Sequence, residues 1–376
     1  MRTIRIEKKN IEYIYSFVFF SIGNISNFLE DYGISKIFPY GIFLVLFIFF
    51  ILKTFRRLRI KDIIIQSLIS AITIWGVIKN GSSIASMSSL YASLILFMPA
   101  YLFFSLCNFV DLINGFMSSA YLSIVILLIR YVIVVRNSSD TGMSYVYAIA
   151  VPMCVLFFKY IRDKKKIDLI LSLLAYISMF FTGARGGLLF STLCLIYLYL
   201  SEAKTGKKQL IRVGSFSIFF LFIYLNLNRI ISYISQYSNI SRNLNTIING
   251  QFFVSDSRMF LYNRCQDLIN KKPWGYGPMG SRSALYGYPY PHSLWYELQL
   301  DYGKVFGILF FISIILVCIL LLLFALKKKS APLIGTICFI GVFQLFVSST
   351  LYQEYCIPAI IALIISWNDK CNQLND

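Results

Sequence analysis

The stretch 303–326, GKVFGILFFISIILVCILLLLFAL, indicates which solvent this chain folds in. It carries one charged side chain, Lys304, and it exceeds the roughly 20 residues that a helix needs to cross the hydrocarbon core of a bilayer. The rest of the chain is similar, since 58% of its 376 residues are hydrophobic and 14% are charged. That composition is wrong for a soluble globule. The sequence therefore predicts an all-α, polytopic integral membrane protein.

Apolar stretches of about this length recur along the chain, and we predict about twelve membrane spans within a single domain, 1–376. The first span is weak because Gly23, Asn24 and Asn27 interrupt it. The predicted spans cover residues 11–29, 38–52, 63–79, 88–107, 117–135, 143–160, 167–182, 187–201, 210–227, 303–326, 331–349 and 353–367.

Clusters of lysine and arginine between the spans predict their orientation, because such residues near span ends are retained on the cytoplasmic side. The clusters lie at 2–9, 53–61, 159–166, 204–208 and 327–329. With an even number of spans all five fall on one side. We therefore expect both termini in the cytoplasm and the segment 228–301 outside. The N-terminus is basic but has no short apolar core that ends in a small-residue cleavage site, so we expect no cleaved signal peptide.

This topology also explains most of the net charge of +18. Basic residues in short loops assist insertion and attract anionic lipid, whereas binding to nucleic acid needs one folded basic face. We expect the lipid bilayer as a partner and no nucleic acid. The eight cysteines form no CxxC pair and no Cys/His set with zinc spacing, so we expect no metal and no cofactor.

The segment 228–301 is the one long polar loop, and it is predicted to lie outside with short helices inside it. Long loops in compact proteins are usually functional or disordered. Its carboxylates are scattered, without the spacing of a magnesium site or of a glycoside-hydrolysing pair. It contains the only histidine of the chain, His292. Pro291 suits a first helical turn, so His292 is predicted at a helix start. A lone histidine is otherwise often a structural residue.

Two arginines on the predicted outer face are candidate anion ligands. Arg185 stands in TGARGG at 182–187, with Gly183 and Gly186 close on either side; glycines permit the close approach of a ligand, and a guanidinium suits phosphate. Arg258 begins a helical face that continues with Leu261, Tyr262, Cys265 and Ile269. Each arginine also has an alternative, structural role. Arg185 could simply extend its side chain to the membrane interface, and Arg258 could form an ion pair with Asp256 or Glu297.

A turn-rich segment follows this helix, with Gly275, Gly277 and Arg282 in PWGYGPMGSR at 273–282. The ordered set of motifs, Thr-Gly-x-Arg-Gly, an Arg-led amphipathic helix, Pro-x-Gly-x-Gly, and a histidine followed by Leu and Gly entering a span, resembles the O-antigen polymerase and ligase family of membrane proteins. The resemblance covers about 180–326. The chain departs from it at Ala184, where the family often has serine, and at Ser293, where it often has asparagine.

The resemblance implies a GT-C-like, metal-independent glycosyltransferase that uses an undecaprenyl-pyrophosphate-linked oligosaccharide as donor and acceptor. Arg185, Arg258 and Arg282 would bind the pyrophosphate, His292 would be the catalytic base, and Gly183, Gly186, Gly275 and Gly277 would form the supporting loops. A chain-length regulator protein is a further implied partner. This is the chemistry of lipopolysaccharide or capsule biosynthesis, and the resemblance implies a bacterial inner-membrane protein with its active site on the outer face.

Three functions stay open. A polymerase joins lipid-linked repeat units, and we favour it by analogy with the Ile-, Phe-, Tyr- and Asn-rich proteins of polysaccharide clusters. A ligase transfers the finished polymer to the lipid A core. A flippase or transporter of lipid-linked sugars would place ionisable residues within its spans, where this chain has few.

The topology is tested by labelling single cysteines introduced into a cysteine-free variant of the protein. Cysteines at 228–301 should react with an impermeant maleimide added outside the cell, because the basic clusters hold the other face in the cytoplasm. Cysteines at 53–61 should react only after permeabilisation and serve as the control. External inaccessibility of 258 and 292 would rule out the proposed site.

Overall fold

The computed structural model describes residues 10–80, 92–133, 143–180, 184–202, 211, 214, 225–226, 256–286, 288, 290–326, 328–348 and 350–370. Within these ranges the regular structure is helical and contains no strand, so the prediction of an all-α fold is confirmed. Gly183, most of the predicted span 210–227 and the first part of the loop, 228–255, lie outside the described residues.

The described residues contain fourteen α-helices, numbered in chain order. They are α1 Ile11–Asp31, α2 Ile37–Thr54, α3 Ile60–Asn80, α4 Met98–Leu106, α5 Phe109–Ile133, α6 Met143–Asp163, α7 Lys166–Phe180, α8 Arg185–Ser201, α9 Asp256–Lys271, α10 Gly280–Ala284, α11 Leu294–Tyr302, α12 Lys304–Ala325, α13 Ala331–Gly335 and α14 Cys356–Ile365. A π-helical turn, Ala92–Phe97, precedes α4, and α13 continues as π-helical Thr336–Val342 and 3₁₀-helical Phe343–Phe346.

Five helical stretches among the described residues are long and apolar enough to cross a membrane: Ile37–Arg57, Ile60–Asn80, Phe109–Ile133, Tyr145–Asp163 and Lys304–Ala325. Shorter apolar helices lie at Ser93–Leu106, Arg185–Ser201, Ala331–Phe346 and Cys356–Ile365. In α2 and α12 large apolar side chains such as Phe49 and Leu309 are more than half exposed, as expected of helix faces in contact with lipid. The chain is a helical membrane protein, and a total near twelve spans stays a prediction.

Contacts between helix termini define two ends of the bundle. At the basic end Arg57 donates to Glu12 (2.9 Å), and Arg59 pairs with Asp62 (3.0 Å) and Asp369 (2.6 Å). At the other end, the loop end, the last residue of α3, Asn80, binds the Pro278 carbonyl between α9 and α10. Because Arg59 immediately precedes α3, Arg57 and Arg59 lie at the end of the bundle away from this loop segment.

Close helix packing in the bundle depends on small residues. A Cβ atom at Gly115 of α5 would lie 2.5 Å from the Ser16 Cβ of α1, and the Ser16 hydroxyl donates to the Leu112 carbonyl at 2.8 Å. Small residues of this kind let membrane helices approach each other without a hydrophobic driving force. The α1–α5 pair forms one wall of the bundle interior.

Two helices bend where they face that interior. Pro152 lies inside α6, where a proline removes one backbone hydrogen bond and kinks the helix. Opposite it, the helix after α13 widens into the π-helical turns of Thr336–Val342, a distortion that is frequent at functional sites. The two bends leave space between the helices, and this space is described below.

Candidate functional site

The predicted apolar face of α9 is confirmed. Leu261, Cys265 and Ile269 are almost fully buried, and they pack against Leu285 and Leu300. The Tyr262 ring stacks on the Tyr296 ring of α11, with centroids 5.1 Å apart. Because α9 and α11 share this small core, the position of Arg258 in the first turn of α9 is fixed relative to α11.

Arg258 contacts the segment that follows α13. Its Nη1 donates a hydrogen bond to the Val347 carbonyl, and the side chain is half-buried. The Glu297 carboxylate, which the sequence offers as an ion-pair partner, instead accepts from the Thr350 hydroxyl and from the Leu351 amide at 3.0 Å. A backbone carbonyl compensates only part of a guanidinium charge, so Arg258 retains the capacity to bind an anion.

Arg185 begins α8 next to the same segment. A Cβ atom at Gly186 would lie 2.8 Å from both the Tyr147 hydroxyl and Val347 Cγ2, so there is no room for a side chain at this position. Glycine therefore lets the first turn of α8 approach the residue whose carbonyl binds Arg258. Arg185, half-buried, and Arg258 start two helices on either side of Val347.

His292 departs from the predicted helix start. Helix α11 begins at Leu294 with Ser293 as its N-cap, so Pro291 precedes the helix instead of occupying its first turn. His292 has a left-handed backbone, with φ of 55°, a conformation that costs a non-glycine residue energy and is enriched at functional sites. The His292 imidazole lies against the Tyr290 ring, with ring centroids 4.2 Å apart.

The electrostatics keep the His292 imidazole uncharged. Burial, and then the nearby Arg258 charge, lower the pKa of His292 to about 4. Its Nδ1 atom is buried and has no hydrogen-bond partner among the described residues. A neutral imidazole with a vacant ring nitrogen can accept a proton from a hydroxyl placed beside it.

Arg282 is more deeply buried than is expected of an arginine that binds substrate from an open loop. It is 5% exposed, and its Nη2 is 3.4 Å from the Thr350 hydroxyl, while its Nε has no partner in the described part of the chain. The Thr350 hydroxyl also donates to Glu297. Burial raises the pKa of Glu297, and the Arg282 charge opposes that shift. The positive charge of Arg282 therefore offsets part of the cost of burying the Glu297 carboxylate.

Asp301, the second carboxylate of α11, anchors the turn before α10. It accepts from the backbone amides of Met279 (3.1 Å) and Ser281 (2.7 Å), and burial together with the Glu297 charge raises its pKa. Sequence reasoning treated Glu297 and Asp301 as scattered. Their i, i+4 spacing places both on one helix face, and that spacing was the available signal.

The two glycines of the turn have left-handed backbone conformations that are strained for other residues. Gly275 has φ of 83° and Gly277 has φ of 91°. The Tyr276 and Gly277 amides donate to the Leu300 and Asp301 carbonyls at 2.7 and 2.9 Å, while the Asn80 amide of α3 donates to Pro278 at 2.9 Å. The turn thus joins the end of α3 to the end of α11.

A cavity of about 570 Å³ opens between the helices below this site. Tyr290, Tyr147 and Ser348 belong to its lining, and they connect it to His292 and to the Val347 segment. Arg185, Arg258 and His292 adjoin these lining residues and therefore lie near the cavity, whereas Arg282, Gly275 and Gly277 do not belong to its lining.

No protein-family model matches the chain, and no curated protein is similar to it. The geometry of the site and the resemblance of its motifs are therefore the basis for a function.

Substitution of the two turn glycines should cost different amounts of stability. Gly277→Ala should lower the free energy of unfolding by about 1–2 kcal/mol, the usual cost of a left-handed alanine, since its Cβ would meet only the flexible Lys79 Nζ at 3.1 Å. Gly275→Ala should cost more, because its Cβ would lie 2.5 Å from the Gly303 backbone nitrogen. Thermal unfolding in detergent measures both, and the reverse order would contradict the described turn.

Proposed function

We propose that the protein is a polysaccharide polymerase of the bacterial cytoplasmic membrane. It joins undecaprenyl-pyrophosphate-linked oligosaccharide repeat units on the outer face of that membrane, without a metal. The observation that carries the proposal is a cationic Arg258 close enough to a neutral His292 to lower its pKa, beside a cavity between the helices. An anion-binding group beside a proton acceptor is what glycosyl transfer from a pyrophosphate requires.

In the proposed reaction the acceptor hydroxyl attacks the anomeric carbon of the donor sugar. His292 takes the hydroxyl proton as the new carbon–oxygen bond forms. The bond between the anomeric carbon and the pyrophosphate oxygen breaks, and the pyrophosphate leaves with the electron pair. Arg185 and Arg258 stabilise the negative charge that develops on it. Because these guanidinium groups are held by helix starts, they need little reorganisation during the reaction.

Arg282 has a supporting part in this proposal. Its charge compensates Glu297, which ties α11 to the 350–351 segment, so it positions His292 and Arg258 without having to touch the substrate. Gly186 has a comparable role, since it admits Tyr147 and Val347 next to Arg185. Both residues act through the placement of the arginines that bind the pyrophosphate.

A transporter of lipid-linked sugars is a second candidate, favoured by the cavity that extends between the helices. The two functions differ in what they require. A polymerase in detergent should elongate lipid-linked oligosaccharide without a sealed compartment, whereas a transporter needs two compartments. A ligase differs from a polymerase in the cell, where deletion of a ligase leaves long polymer on undecaprenyl pyrophosphate and deletion of a polymerase leaves single repeat units.

Removal of the arginines should abolish polymer formation with little effect on insertion. For Arg185→Ala and Arg258→Ala we expect a loss of roughly 2–4 kcal/mol of transition-state stabilisation, or about 30- to 1,000-fold in rate. Lysine should rescue either position poorly, because it lacks the planar pair of donors. Elongation by purified variants in detergent measures the effect.

The control for these variants is Arg162→Ala, which removes an arginine that pairs with the adjacent Asp163 at the basic end. It should elongate oligosaccharide at the wild-type rate. A fully active Arg258→Ala protein would show that this arginine only secures Val347, and it would contradict the pyrophosphate site.

The pKa of His292 should depend on Arg258 and on bound anions. In the free protein we expect a pKa of about 4, and added inorganic pyrophosphate should raise it because the anion offsets the Arg258 charge. Activity should be lost as the pH falls through the pKa, since protonated imidazole cannot accept a proton. NMR of protein labelled only in histidine reports a single residue, since the chain has one histidine.

His292→Ala should reduce turnover about 100- to 10,000-fold and leave pyrophosphate binding intact, because other residues hold the anion. Arg258→Ala should raise the His292 pKa in the absence of pyrophosphate. A well-folded His292→Ala protein with a nearly wild-type rate would exclude the role as base. If the His292 pKa changes neither in Arg258→Ala nor on addition of pyrophosphate, the proposed electrostatic coupling between Arg258 and His292 is excluded.

A further inference from the structure

The cavity of about 570 Å³ lies inside the helix bundle, on the inner side of Tyr290. Its walls come from α1, α5, α6 and the π-helical segment after α13, and both Pro152 and Gly341, at the two helix distortions, belong to its lining. Its volume falls within the roughly 300–1,000 Å³ of small-molecule sites. The bends of two helices therefore create a space of the size of a bound ligand.

The lining combines aromatic rings with hydrogen-bonding groups. Phe20, Phe116 and Tyr355 supply ring faces, and Gln344 and Glu354 supply amide and carboxylate groups. The Gln344 Nε2 lies 3.5 Å from Glu354 Oε1, so the two form one polar side of the cavity. Its remaining polar lining residues are Asn24, Ser119, Ser123, Tyr147, Tyr290, Thr336 and Ser348.

One polar atom of this lining has no partner. Ser123 is 2% exposed, and its hydroxyl makes no hydrogen bond to any described residue. An unsatisfied buried hydroxyl costs free energy, and each such group in a folded protein needs an explanation. A ligand with its own hydroxyl groups would satisfy it.

We propose that this cavity binds a neutral sugar unit of the lipid-linked oligosaccharide. Aromatic rings cover the apolar faces of a pyranose, while Gln344, Glu354 and Ser123 bind its hydroxyl groups. This inference rests on the proposed function and names the part of the substrate that the cavity takes. Tyr290 belongs both to the lining and to the contact with His292, so a sugar in the cavity lies next to the proton acceptor.

The polar lining distinguishes a sugar from the other parts of the substrate. A polyprenyl chain would leave the buried Ser123 hydroxyl without a partner among the described residues, at a cost in free energy. A pyrophosphate or an acidic sugar would meet the Glu354 carboxylate, which is the charged residue of the cavity lining. Like charges in a weakly hydrated site repel strongly. The cavity therefore favours neutral sugars over uronic acids.

The test measures thermal unfolding of the full chain in detergent with three kinds of probe: neutral methyl glycosides (hexose, deoxyhexose and N-acetylhexosamine), methyl glucuronide and inorganic pyrophosphate. At least one neutral glycoside should stabilise the wild-type protein, and methyl glucuronide should not. In Gln344→Leu and Glu354→Gln the concentration for half-maximal stabilisation should rise about tenfold, the effect of losing one hydrogen bond to the ligand.

Two further variants separate binding from folding. Ala148→Phe fills the cavity with a ring and should abolish the glycoside effect, whereas Gln66→Leu is a matched control, since Gln66 binds the Met98 carbonyl at 2.9 Å outside the cavity lining. If Gln344→Leu, Glu354→Gln or Ala148→Phe fails to fold, Ser123→Ala provides the test instead. It removes only the unsatisfied hydroxyl and should weaken glycoside binding.

The outcomes distinguish the sugar site from the proposed function. The sugar site is overturned if no neutral glycoside stabilises the wild-type protein, or if Ala148→Phe responds like wild type, even where pyrophosphate binds through Arg258. Conversely, glycoside binding that the cavity variants abolish, without any effect of pyrophosphate, would support the sugar site and contradict the proposed polymerase.

Discussion

The arrangement of the site depends on the buried carboxylate of Glu297. It accepts hydrogen bonds from Thr350 and Leu351, which follow the segment that binds Arg258. Burying a carboxylate costs free energy unless its oxygens accept hydrogen bonds. Separation of α11 from the 350–351 segment would therefore leave the Glu297 carboxylate without these hydrogen bonds. Arg282 adds a compensating positive charge nearby. The loop segment is thereby held to the bundle by polar contacts that the small α9–α11 core alone could not provide.

This anchoring has an electrostatic consequence for His292. Helix α11 carries His292 just before its first turn, and α9 carries Arg258 in its own first turn, so fixing both helices fixes the distance between a cation and an imidazole. The fixed cation and partial burial lower the pKa of the ring. A neutral ring beside a guanidinium is the arrangement that a base next to an anion site needs, and the Arg258 charge helps to keep the ring neutral.

The interior of the bundle adds a different constraint. A membrane helix normally satisfies its backbone internally, yet α6 contains Pro152 and the helix after α13 contains π-helical turns. Both distortions face the same cavity. Both distortions cost backbone hydrogen bonds, and this cost is explained if the space between the two helices binds a ligand. The polar groups that line the same space would then contact that ligand.

Much of the fold could be predicted from the sequence, because it follows from local patterns. Long apolar stretches require helices in lipid, and the spacing of Leu261, Cys265 and Ile269 correctly gives the buried face of α9. The candidate residues Arg185, Arg258 and His292 were also recognisable as a set. By contrast, the helix start was misplaced at Pro291, since the left-handed conformation of His292 depends on contacts outside its own segment.

Tertiary structure decided which groups meet. The Val347 carbonyl binds Arg258 across 89 positions of the chain, and Glu297 meets Leu351 across 54; no local periodicity encodes such pairings. The burial of Arg282, the role of Asp301 in the glycine turn and the cavity between bent helices likewise arise only when distant segments close on one another. The sequence by itself determined the solvent of the chain and the class of its elements, because hydropathy is a property of short stretches. The geometry of the site was decided by packing, because a hydrogen bond between distant segments exists only in the folded chain.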